Sequence, residues 1–195
     1  CNFLLDNGLR QICIPQSREH AEAQWKAENK FKQNLYDVCM IDLIEKSKDY
    51  IEAVKQLLKS SDIIIFSHPY LFGLMRFIEK DKLIIYESVD VEYLLKKDYV
   101  IDLELVEKIK QIEKEACIKS DIILATSEED RQNLVELFGV EIGKISVASN
   151  GVDTNTILLL NDDEKKEAKS IAGLSGRNTI LFIGSWHPPN LEALE

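Results

Sequence analysis

Cysteine is scarce and unpaired in this chain. Cys1, Cys13, Cys39 and Cys117 are the only four in 195 residues, and no two stand in C-x-x-C spacing. With no histidine at metal-ligand spacing from them, this argues against zinc modules and thioredoxin-like redox motifs. Free thiols in a reducing cytoplasm are the plain reading, with Cys13 and Cys39, which sit inside apolar runs, expected in the core. Glycine (8) and proline (4) are too few for a fibrous or low-complexity chain, and no internal repeat is visible. Positive charge is also short. Lys and Arg number 24 against 34 Asp and Glu, a net charge of -10. That argues against a nucleic-acid partner and against a strongly basic membrane face, although a local patch for peripheral membrane association stays open. No apolar run approaches the ~20 residues that span a bilayer, and no signal peptide is visible.

What is present is a 45% hydrophobic chain able to build one good core. Short apolar, β-branched runs recur along it: Ile12-Cys13-Ile14, Val38 to Ile41, Ile63 to Phe66, Leu83 to Tyr86, Ile122 to Ala125, Ile145 to Ala148 and Ile180 to Ile183. Continuous rather than alternating runs mark strands of a parallel sheet covered by helices. Between them lie helical stripes, Tyr50, Val54, Leu57 and Leu58 in one and Leu105, Ile109, Ile112 and Ala116 in another. Ser127 is placed to cap a helix whose buried face is Leu134, Leu137 and Phe138 and whose end is Gly139, with Asp130 at the reciprocal position. The rhythm predicts an α/β fold, a Rossmann-like doubly wound parallel sheet with helices on both faces. It pauses after Asn150-Gly151-Val152-Asp153, where a polar helix over Asp162 to Ala172 precedes a fresh strand at Thr179. The expected organisation is a first domain over 1–153, a helical linker over 154–176 and the start of a second Rossmann-like domain over 177–195.

Three segments carry a resemblance. Ser120-Asp121-Ile122-Ile123-Leu124-Ala125-Thr126-Ser127-Glu128 is a strand ending in a serine that opens a helix. Ile145-Ser146-Val147-Ala148-Ser149-Asn150-Gly151-Val152-Asp153 is similar to an "x-P-N-G-V-D" element, with Ser149 in place of the usual proline. Ile180 to Ser185, followed by Pro188-Pro189-Asn190-Leu191-Glu192-Ala193, looks like a strand and helix start. In this order and spacing they resemble the group 1 (family 4) retaining glycosyltransferases of GT-B fold. Ser67-His68-Pro69 and Tyr86 to Glu92 add weaker likeness to the family's strand-end histidine and its "H-N-x-E"-like segment. The likeness is clearest over residues 62 to 193. The family's glycine-rich loop is expected before Cys1 and its E-x7-E element beyond Glu195, so this stretch alone is expected to be inactive.

The resemblance implies transfer of a sugar from a nucleotide-sugar donor to an acceptor, a glycan, a lipid-linked sugar or a small molecule, with retention, as in polysaccharide biosynthesis. It implies no cofactor and no bound metal, and no metal constellation is visible in the residues. His68 would stand in the interdomain cleft as the catalytic candidate, though a strand-end loop histidine has the same look. Glu87, Asp90 and Glu92 could meet sugar hydroxyls or an acceptor amine, and equally serve as helix N-terminal charges. Ser127 is fully explained by capping but also lies at a strand end. Gly184 would let the backbone approach the donor diphosphate, with Ser185 beside it where the family often has arginine. Trp186 and His187 read as a loop anchored by a buried ring. Asn150, Gly151 and Asp153 would form the hinge. Two other readings remain, a nucleotide-sugar epimerase of GT-B shape and a non-catalytic doubly wound binding module.

Overall fold

Strand β1 (Asn2–Leu4) and strand β2 (Arg10–Ile12) open the chain as an antiparallel pair, with Phe3 opposite Gln11. The computed structural model describes residues 2–4 and 8–184. It divides into two units, Cys1–Asn150 and Gly151–Glu195. The run Ile12 to Ile14 is therefore not a strand of the parallel sheet. It leaves β2 after Ile12, and Cys13 is exposed rather than in the core. A two-stranded ribbon leaves most of its side chains wet, which is why an apolar run here does not mean burial.

Helix α1 (Arg18–Phe31) starts where the Ser17 hydroxyl accepts from the His20 amide at 3.1 Å and ends at Lys32, φ 52°. Val38 to Ile41, expected as a strand, instead forms turns leading into α2 (Met40–Leu43) and a 3-10 turn at Ile44–Lys46. Its apolar character has another cause. Val38 and Cys39 pack with Leu35, Tyr70, Val100 and Ile109 in a second core cluster. Helix α3 (Lys48–Leu58) follows. Tyr50 and Val54 of its stripe lie against the main core, whereas Leu57 turns outward.

The parallel sheet comprises β3 (Ile63–Ser67), β4 (Leu83–Ser88), β5 (Ile122–Ala125) and β6 (Ile145–Val147). They pair in sequence order, β3-β4-β5-β6, all parallel. The α/β architecture with a Rossmann-like parallel sheet is thus present. Between the strands run a 3-10 stretch at Phe72–Phe77, α4 (Glu92–Lys96), α5 (Leu103–Lys119) and α6 (Glu128–Phe138). In an order that never reverses, crossovers of the usual right-handed sense run over one face of the sheet. The burial agrees. Phe66, Ile84, Tyr86, Ile123, Ala125 and Ile145 are buried in one core, while on the other face of the edge strand Ile63 and Ile65 stay 54% and 56% exposed.

Local chemistry fixes the helix ends. Ser127 caps α6 by accepting from the Asp130 amide at 3.0 Å, and Gly139, φ 67°, closes it. The Asp130 carboxylate does not return to the cap amide; it accepts from the hydroxyls of Ser127 at 2.7 Å and Thr126 at 3.0 Å. The Lys144 ammonium donates to the Cys117 and Ile118 carbonyls at 2.8 and 2.7 Å, satisfying the end of α5. Helix α5 serves both clusters, with Ile109 in one and Ala116 and Cys117 in the other.

In the second unit, Asp153 holds a turn by accepting from the Asn155 amide and the Thr156 hydroxyl. Helix α7 (Asp162–Ile171) starts in a capping box between Asn161 and Glu164. The strand expected at Thr179 is not formed among the described residues. Residues 179–184 are irregular and Ile180 is 98% exposed, because a strand gains its hydrogen bonds from a neighbour and none is paired to it.

Candidate functional site

Parallel strands end on one edge of a sheet, and that edge is where open α/β folds bind ligands. Here the register sets Ser67 of β3 beside Glu87 of β4, and Ser88 of β4 beside Ala125 of β5. His68 follows β3 directly. Its backbone is left-handed, φ 63°, a conformation that disfavours any residue with a side chain, and its amide donates to the Glu87 carbonyl at 3.2 Å. The imidazole Nδ1 meets Glu92 Oε1 at 2.5 Å. Glu92 is 2% exposed, and its other oxygen accepts from the Tyr70 hydroxyl. The imidazole ring is 41% exposed and its Nε2 has no hydrogen-bond partner among the described residues. A buried carboxylate thus holds one ring nitrogen and leaves the other open to the edge.

Glu92 is itself anchored. Glu113, fully buried on α5, accepts from the Glu92 and Tyr93 amides at 2.8 and 2.7 Å and from the Tyr86 hydroxyl at 3.2 Å. These amides open the first turn of α4, where no intrahelical acceptor exists. At the far end of α4, Lys96 pairs with Asp37 at 2.7 Å.

The charges follow from this arrangement. The hydrogen bond to Glu92 raises the His68 pKa above the ordinary histidine value, with help from the negative charges of Glu92, Asp90 and Asp37 and against the opposing effect of burial. Asp90 is raised by burial first, then by the like charges of Glu92 and Asp130. Burial pushes Glu113 up to about 7. A carboxyl held protonated by the fold contributes fully below its unfolded value, near 4.5, and loses that contribution as pH rises through about 7. His68, also raised, acts in the same direction. His20, lowered by burial, acts oppositely on the acid side of its ordinary value. Urea unfolding between pH 5 and 8 should therefore show stability falling, with a share from Glu113 of about 3 kcal/mol by pH 8. Glu113→Gln should flatten the profile; a profile parallel to the wild type would count against this account.

Of the residues singled out in the sequence, the edge brings together His68, Glu87, Asp90 and Glu92. Glu87 accepts from the Ser67 hydroxyl and Asp90 receives the Ser88 hydroxyl on its carbonyl. Ser127 lies at the end of β5 beside Asp130, engaged in capping. Asn150 ends the first unit, and Gly151 and Asp153 begin the second. Gly184 is exposed, whereas Ser185, Trp186 and His187 lie outside the described residues. Sequence reading passed over Glu113 and Tyr70. A glutamate in a charged helix gives no signal of burial, and Tyr70 acquires its partner only through the fold.

A cavity of about 220 Å³ lies beside the same loop, lined by Ile14, Tyr36, Met40, Tyr50 and Leu71. His20 and Ser47 also line it, joined Nδ1 to Oγ at 2.9 Å. No group of His, Cys, Asp and Glu among the described residues is arranged to hold a metal ion, and no helix there is long and apolar enough to cross a membrane. No protein-family model matches the chain, and no curated protein matches it.

Proposed function

We propose that this chain carries the acceptor-side domain of a retaining glycosyltransferase, and that His68 is its catalytic residue. One observation carries the reading: a left-handed histidine at the end of a parallel strand, tied through Nδ1 to the buried Glu92 and open at Nε2. Strained backbone at a sheet edge persists where the surroundings hold it, and such sites cluster at ligand clamps. The first two motif segments, a strand ending at the Ser127 cap and a strand leading to Asn150, support the same reading.

In this reading Glu92 fixes the ring and raises its basicity. A neutral His68 accepts a hydrogen bond at Nε2 from the attacking hydroxyl; protonated, it donates to a sugar or phosphate oxygen. The donor is a nucleotide sugar, and the transition state is oxocarbenium-like with its departing diphosphate held by backbone amides of the donor side, Gly184 among them. The cavity beside the His68 loop suits a compact apolar or ring portion of the acceptor. The cytoplasm is the compartment this reading assigns, since activated nucleotide sugars and the free thiols of Cys39 and Cys117 both suit it.

The test is thermal denaturation of the full-length protein with UDP-, GDP- and ADP-sugars, followed by a transfer assay with the donor that binds. A true donor at a hundred times its Kd adds about 2.7 kcal/mol of stability. Flat curves with every donor would sink the transferase reading and favour a binding module.

A further inference from the structure

Glu113 is a group for which the proposed chemistry has no direct use. It makes no hydrogen bond to His68, it is fully buried, and it is held by the amides of Glu92 and Tyr93 and by the Tyr86 hydroxyl. A carboxylate inside a core is costly to bury unless its oxygens are engaged. Here Oε1 takes the Glu92 amide and the Tyr86 hydroxyl, and Oε2 takes the Tyr93 amide. Tyr86 belongs to β4, the strand that precedes the Glu92 turn, so one carboxylate joins α5, β4 and the start of α4. Glu92 in turn holds His68 and Tyr70 with its two side-chain oxygens.

We propose that Glu113 is a positioning residue for His68, acting through the first turn of α4, where it sets the place of Glu92 and thereby the orientation and basicity of the imidazole. The inference rests on the reading of His68 as the working group of the site, but its test needs no substrate. The groups that face His68 are Glu92 on α4, Asp90 after β4, Asp37 in the turn before α2, Glu87 on β4 and Tyr70 in its own loop. Those that face Glu113 are Glu92, Tyr93, Tyr86, Cys117 and, more weakly, Tyr70. Glu113 makes no hydrogen bond to His68, and the charges that act most on the imidazole are those of Glu92, Asp90 and Asp37. The hydrogen bonds that link Glu113 to His68 run through the first turn of α4 and the Glu92 side chain, with Tyr70 bonded to the same carboxylate and stacked on the imidazole.

The experiment is an NMR titration of the His68 imidazole in the full chain, read from its Cε1–H resonance. Glu92→Gln should lower the His68 pKa by about 1 unit or more, since it removes an opposite charge in contact. Glu113→Gln keeps one acceptor and loses the other, and should lower it by about half as much. Glu113→Asp keeps the charge but withdraws it by one methylene, and should shift it the same way; it also decides the question should Glu113→Gln fail to fold. Leu134→Ala, a core deletion on α6 in the same cluster as Tyr86, is the control for general loosening and should leave the titration in place. An unmoved His68 titration in both Glu113 variants overturns the proposal, and so does an equal shift in Leu134→Ala. Failure of sugar transfer with an intact titration response would instead defeat the transferase reading and leave the positioning link standing.

Discussion

If the proposed transferase reading holds, replacing His68 with alanine is expected to reduce sugar transfer about 10²- to 10⁴-fold, with most of the loss in kcat. The expectation comes from where the imidazole stands. It lies at the carboxyl edge of the sheet, one nitrogen on a buried carboxylate and the other open. In the proposed mechanism a group so held acts on the reacting hydroxyl, whose demand is greatest in the transition state, so its removal would lower the rate more than it weakens substrate binding. Glu92→Gln should fall between His68→Ala and wild type, because the ring remains but loses orientation and basicity. Steady-state kinetics with the donor identified by thermal denaturation provide the comparison. An alanine variant within threefold of wild type would remove His68 from the mechanism.

The largest stability loss is expected from Phe72→Ala. Phe72 is fully buried in the main cluster, its ring 4.8 Å from that of Phe66. Emptying such a position costs about 3–5 kcal/mol, which for a chain of this size lowers the melting temperature by roughly 10 °C. The matched control is Ile65→Ala on the half-open face of β3, expected to cost under about 1 kcal/mol. Denaturant midpoints at constant slope provide the measurement. Equal losses at the two positions would contradict the unequal burial of the faces. Because Phe72 follows the His68 loop within one turn, the variant should also blunt activity beyond its effect on folding.

The four strands of the parallel sheet were legible because their runs are short, β-branched and bounded by polar residues, and tertiary pairing agreed with that local signal. Val38 to Ile41 carries the same signal but folds as turns and helix. An apolar run of four says only that it is buried, and here burial against Leu35, Tyr70 and Ile109 explains it. Helix α1 escaped notice for the converse reason. Its buried side chains are His20 and Gln24, so no apolar stripe announces it. Ile180 to Ile183 shows that strand character needs a partner before it becomes a strand. At the site, His68 and the carboxylates after Leu83 to Tyr86 could be anticipated from their place at strand ends. Their pairing could not, because Glu92 reaches His68 across 24 residues and Glu113 reaches α4 across about 20.

The left-handed backbone at His68 sets thermodynamic preference against chemical use at a single position. Glycine would relax that conformation by about 1 kcal/mol and keep the loop's course. Against that gain stands the loss of the imidazole from Glu92 Oε1, so glycine at 68 exchanges backbone relief for an unpaired oxygen on a buried carboxylate. The discomfort of the backbone and the grip of Glu92 on the ring are thus two sides of one arrangement, in which the buried carboxylate holds the loop where the open nitrogen faces outward.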